Sequence, residues 1–125
     1  MSYRGTIIEE SLQDKAILKE ISILRTRVAK VTERDKTPWL EKWTLHTVEI
    51  PEEKAGEVAE ELGQALESEH SWYADFKNAT HHYIIFRNKI FYIDRHNEEE
   101  YQQAREYGIS LGIPKYQVDF SPDID

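Results

Sequence analysis

The alternation running through residues 72–95 limits the possible folds of this chain more than any other feature. Trp72, Ala74 and Phe76 alternate with Tyr73, Asp75 and Lys77, the period of two expected of a half-buried strand. Polar Asn78, Ala79 and Thr80 break the run, and two further strand-like stretches, 81–87 and 90–95, meet across Asn88 and Lys89. Asn tolerates the positive φ that a two-residue hairpin turn requires. A loop over 78–80 sets Phe76 against His82 and Ala74 against Ile84. A turn at 88–89 sets Phe86 against Phe91 and Ile84 against Ile93. Both registers put Trp72, Ala74, Phe76, His82, Ile84, Phe86, Phe91 and Ile93 on one face, as burial of a single face demands. The spacing predicts an antiparallel meander.

Around it, residues 3–10 read as a strand and 14–20 as a helical turn or two. Residues 21–32 alternate, with Leu24, Thr26 and Val28 opposite Arg25 and Arg27, and residues 43–50 form another strand stopped by Pro51. Pro51 loses nothing at a first helical turn, and Glu52 and Glu53 suit the positive end of the helix dipole. Ala55, Val58, Ala59, Leu62, Ala65 and Leu66 then recur at helical spacing. Asn97 with Glu100 predicts a capping box opening a second helix, and Gly108 suits its left-handed C-terminal position. Residues 33–38 read as a charged loop, and Tyr116, Val118 and Phe120 alternate as a last strand. The order predicts an α+β domain over residues 1–120: a mostly antiparallel sheet with two main helices on one face. From Trp43 onward it approximates a ferredoxin-like split βαβ arrangement. Residues 121–125 read as an acidic tail.

At 125 residues the chain is one domain's worth of length, with 39% apolar and 11% aromatic residues to build a core. Sixteen basic against 24 acidic residues leave a net charge of -8. That balance argues against phosphate backbones and anionic membranes as partners, since both need a basic surface. Apolar runs are too short to span a bilayer, and the opening residues lack a signal-peptide pattern. With no cysteine, disulfides and thiolate chemistry are excluded, and a cytoplasmic location is the expectation.

Three constellations compete for function. The registers gather Tyr73, Tyr83, Ile85, Arg87 and Tyr92 on the second sheet face, with rows Asp75–Tyr83–Asp94 and Tyr73–Ile85–Tyr92. Tyrosines with an apolar centre suit a docking surface, most simply for a second copy of the chain. Tyrosine also suits any solvated strand. A second group, Arg25, Arg27, Trp39, Trp43 and His46, suggests a cleft in which arginine grips an acidic small ligand. The plainer account has the tryptophans simply capping the core. A third, His70, His81 and His96 with Asp75 and Asp94, offers imidazoles and carboxylates for a metal or for acid–base work. No metal-binding spacing accompanies it, and His81 and His82, adjacent in a strand, point to opposite faces. A buried, hydrogen-bonded His82 is the structural expectation. Phosphate-binding glycine patterns and nucleophile elbows are missing.

The stretches TPWLEKWTLHTVEIP, SWYADFKN, HHYIIFRNKIFYIDR and YGISLGIPKYQVDF resemble those of a family of small bacterial and archaeal hypothetical proteins with no assigned function. The resemblance runs over roughly residues 3–120. It implies a prokaryotic, cytosolic protein and carries no activity, cofactor or catalytic residue with it. The reading that results is a non-catalytic binding or interaction domain that self-associates as a homodimer through the tyrosine-rich face. The alternative is a small metal-binding protein or enzyme using the His/Asp cluster.

Overall fold

The computed structural model describes residues 2–30, 40 and 42–113. Trp39, the loop over 33–38, the strand expected at 116–120 and the tail at 121–125 lie outside them. The described residues form an α+β domain built on a six-stranded antiparallel sheet. Its strands are β1 (Tyr3–Ile8), β2 (Ser22–Lys30), β3 (Lys42–Ile50), β4 (Tyr73–Lys77), β5 (His81–Phe86) and β6 (Lys89–Asp94), in the order β2-β3-β1-β4-β5-β6. Two α-helices, α1 (Ala55–Ala65) and α2 (Glu98–Ser110), complete it.

Local chemistry accounts for the boundaries. Asp14 accepts from the Ala16 N–H and starts the 3-10 segment Lys15–Glu20. After Pro51, a 3-10 turn at Glu52–Lys54 leads into α1, which buries Ala55, Val58, Ala59, Leu62 and Ala65 as its spacing predicts. Asn97 caps α2 by accepting from the Glu100 N–H at 3.2 Å. The return half of the expected box is missing, because the Glu100 carboxylate accepts from the Asp94 N–H instead. Helix α2 also runs past Gly108, which is buried within it. The left-handed residue is Gly112, at φ 89°.

Strand β1 pairs antiparallel with both β3 and β4, so β3 and β4 run parallel and flank it. The unit β3–α1–β4 is therefore a split βαβ. Beyond it the chain continues as the expected meander, but the β4–β5 register differs by one residue. Lys77 pairs with His82 and Phe76 with Tyr83. The cause is Asn78, whose N–H donates to the His81 carbonyl at 3.0 Å while its side-chain oxygen accepts from the Thr80 and His81 N–H groups. Asn78 thus joins the ladder and shortens the loop, and a one-residue slip exchanges the faces of every side chain. The β5–β6 pairing shifts by two residues, Phe86 facing Lys89 and Ile84 facing Phe91, which leaves its faces as expected.

This slip places the helices on opposite faces of the sheet instead of on one. Ile7, Val48, Ile50, Ala74, Phe76 and Ile85 pack with Val58, Ala59, Leu62 and Leu66 on the α1 side. Ile84, Phe86 and Ile93 pack with Tyr101 and Ala104 on the α2 side. The strand residues of this second core come from β5 and β6, with Tyr73 of β4 at its edge. On the same face farther along the sheet, Arg4 and Thr6 of β1 and Arg25 and Arg27 of β2 are exposed, and Trp43, Leu45 and Thr47 of β3 are half-buried.

Candidate functional site

A cavity of about 290 Å³ opens on that face where α2 stops. Its floor is strand side chains, Thr6 and Ile8 of β1 and Leu45 of β3, and its walls carry Trp43, Trp72 and Tyr73. Ser71 and Ile113 stand at the rim, where the Ser71 hydroxyl donates to the Leu111 carbonyl at 2.8 Å and ties the β4 approach to the end of α2. Trp43 and Trp72 meet edge to face, ring centroids 6.1 Å apart. Among the described lining residues the single carboxylate is Asp75, and none of them is basic.

Asp75 belongs to a chain of polar groups running beneath α2. Its Oδ2 accepts from His82 Nε2 at 2.7 Å, and His82 Nδ1 lies 3.0 Å from the Tyr101 hydroxyl. Tyr101 in turn hydrogen-bonds Arg95, whose Nη1 donates to the Asn78 carbonyl at 2.6 Å. The chemistry of the chain assigns its protons. A guanidinium only donates, so the Tyr101 oxygen accepts from it and passes its own proton to His82 Nδ1. Nε2 then carries the imidazole proton toward Asp75. Burial pushes the Tyr101 hydroxyl up, against the opposing pull of Arg95. His82, Arg95 and Tyr101 are each at most 3% exposed, whereas the Asp75 side chain keeps 28%. The relay thus ends on a carboxylate presented to the cavity, oriented from behind by groups sealed in the core.

The residues anticipated as functional fall into separate places. Tyr73 and Asp75 lie on the α2 face, so neither expected row across the second face exists. Ile85 is fully buried beneath α1, and Arg87 donates to the carbonyls of Gln64 and Leu66 at the end of α1, a structural duty at the negative end of a helix. Tyr83 and Tyr92 do share a face, with ring centroids 4.6 Å apart, and Tyr92 is stacked on His81. Of the expected cleft, Trp43 lines the cavity and Arg25 and Arg27 occupy the same sheet face as Asp75, out on β2. His46 is on the other face, held by Thr26 at 2.8 Å and Glu9 at 2.9 Å.

The His/Asp cluster also divides. His81, Asp94 and His96 stand at one end of β5 and β6. The His96 N–H, then the two imidazoles, hold the Asp94 carboxyl below its usual range. Asp75 is on the opposite face, and His70 turns to Glu67, which accepts from its backbone N–H at 3.0 Å. Among the described residues, the His, Asp and Glu side chains that gather in a group of three with ligand atoms all within 4.8 Å of one another are Glu67, Glu69 and His70, a set that shares only His70 with the anticipated one.

A buried, hydrogen-bonded His82 matches the sequence expectation. The loop register read from the sequence puts its partner Asp75 on the wrong face. The signal that locates it is Asn78 two residues before Thr80, the pattern of a side chain that closes a turn onto its own backbone. In comparison with known proteins, no family model, no curated protein and no solved structure matches this chain.

Proposed function

We propose that the protein is a non-catalytic small-molecule-binding domain whose ligand sits in the cavity between Trp43, Trp72, Tyr73 and Asp75. The observation that carries this reading is the pairing of an apolar, aromatic-walled cavity with one carboxylate fixed by a buried relay. Ligand sites combine mostly apolar walls with a few placed polar groups, and about 290 Å³ suits a compact ligand. The relay also separates this site from a hydrolytic triad. His82 is sealed behind Asp75, so the imidazole has no direct path to a substrate, and the carboxylate is the group a ligand meets.

The test is protein-observed NMR with a set of small aromatic fragments. Saturable shifts of the Trp43 and Trp72 indole N–H signals and the Asp75 amide, abolished by Leu45→Trp filling the cavity, support the reading. Fragments that leave these signals unmoved, or that bind Leu45→Trp as well as the unaltered protein, overturn it.

A further inference from the structure

We infer that the ligand is an organic cation, an amine or quaternary ammonium on an apolar or aromatic body. This inference rests on the cavity being the binding site and adds the chemistry of its occupant. A carboxylate accepts and never donates when ionised, so Asp75 selects a donor or a positive charge. His82 Nε2 already occupies one of its oxygens at 2.7 Å, which aims the group. The tryptophan and tyrosine rings around it carry negative π faces that favour a cation and disfavour an anion. A neutral apolar ligand would strip the remaining water from the carboxylate without replacing it, whereas an ammonium replaces the lost water with a charge-assisted hydrogen bond.

No basic side chain stands among the described lining residues to oppose this choice. Arg4, on the strand that supplies Thr6 and Ile8, is held by Glu49 at 3.0 Å. Arg25 and Arg27 of β2 and Lys77 of β4 share the sheet face with Asp75, but the two arginines are exposed and none of the three is part of the lining. The protein as a whole carries a net charge of -8, which raises the local concentration of cations. An anionic ligand would have to reach beyond the lining to Arg25, Arg27 or Lys77 while lying beside Asp75.

Three probes of nearly equal shape decide the matter: benzylamine, benzyl alcohol and benzoate, titrated by NMR against the full chain and against Asp75→Asn. The amide oxygen that this substitution introduces can still accept from His82, so the variant removes charge while retaining the relay. The expected result is tightest binding by benzylamine at the Trp43 and Trp72 signals, weakened about tenfold or more by Asp75→Asn. Benzyl alcohol binding should change little, and added salt should weaken only the amine. If benzyl alcohol or benzoate binds there as tightly as benzylamine, or if the preference for the amine survives Asp75→Asn, the cation assignment is wrong and the cavity stands. If none of the three moves those signals, the cavity itself is not the site.

Discussion

Placing a methyl group on Gly5 tests how the two halves of the sheet are joined. A Cβ there would stand 1.9 Å from the carbonyl oxygen of Asp75 and 2.6 Å from the Cα of Phe76. Both atoms are backbone of β4, so no side-chain rotation relieves the overlap. The pairs Arg4–Lys77, Gly5–Phe76 and Thr6–Asp75 form the seam between β2-β3-β1 and β4-β5-β6. Bringing the closest contact from 1.9 Å to 3.0 Å requires the strands to part by 1.1 Å. The ladder bonds of the seam then lengthen, at about 1 kcal/mol for each one lost. The core around Phe76, fully buried and edge-on to Tyr3 at 5.6 Å, opens as well, with a cavity cost of about 2 kcal/mol or more. Together these amount to roughly 4 kcal/mol, a large part of the ~5–15 kcal/mol that stabilises a typical domain. At this chain length about 1 kcal/mol corresponds to about 3–5 °C in Tm. Calorimetry of Gly5→Ala should therefore show a Tm lowered by about 12–20 °C, or no cooperative transition. A variant melting within about 2 °C of the unaltered protein would refute the close approach of β1 to β4.

Gly63 in α1 should respond with the opposite sign. Its Cβ would meet the Phe86 carbonyl at 3.4 Å and Ile85 at 3.6 Å, ordinary contacts, so Gly63→Ala gains about 0.5–1 kcal/mol of helix propensity in urea unfolding. Loss of stability would mean that α1 lies closer to β5 than described. Ile85→Asp should fail to fold, because it buries an unpaired carboxylate beneath α1; a dispersed native NMR spectrum would contradict that placement. Tyr101→Phe removes the hydroxyl between His82 and Arg95 and should cost about 1–3 kcal/mol in chemical denaturation, and an unchanged midpoint would dismiss the relay. Burial raises the pKa of Glu10, but the Thr44 N–H at 2.6 Å and hydroxyl at 2.8 Å outweigh it and hold the carboxyl below its usual range. A carboxyl depressed in the folded state stabilises above its unfolded pKa and loses that contribution as pH falls through the folded one. Stability should thus decline below the ordinary glutamate range, less steeply in Glu10→Gln. Equal slopes in the two proteins would exclude this linkage.

Much of the local structure is legible in the sequence because its causes are local. The stripe from Ala55 to Leu66 forms a helix whose apolar face needs only helical periodicity to be recognised. Arg25 and Arg27 oppose Thr26 and Val28 on β2 because side chains alternate along any strand. Asn97 caps α2 through a bond spanning three residues. The failures are equally specific. Gly108 suits a C-terminal cap by residue type, yet it is buried within the helix, which runs on to Ser110, and the positive φ falls at Gly112.

The identities of the strands, of α1 and α2, and of His82 as a buried histidine follow from residue order alone, since each depends on neighbours a few positions away. The position of β1 between β3 and β4, the opposite placement of the helices, and the meeting of Asp75 with Trp43 and Leu45 come from long-range pairing. Such contacts are set by the burial of whole faces and are sensitive to a single residue of register. One asparagine side chain, closing a turn on its own backbone, moves Asp75 from the face of Asp94 to the face of His82. Periodicity is blind to that step because both registers alternate equally well, and only the packed sheet distinguishes them.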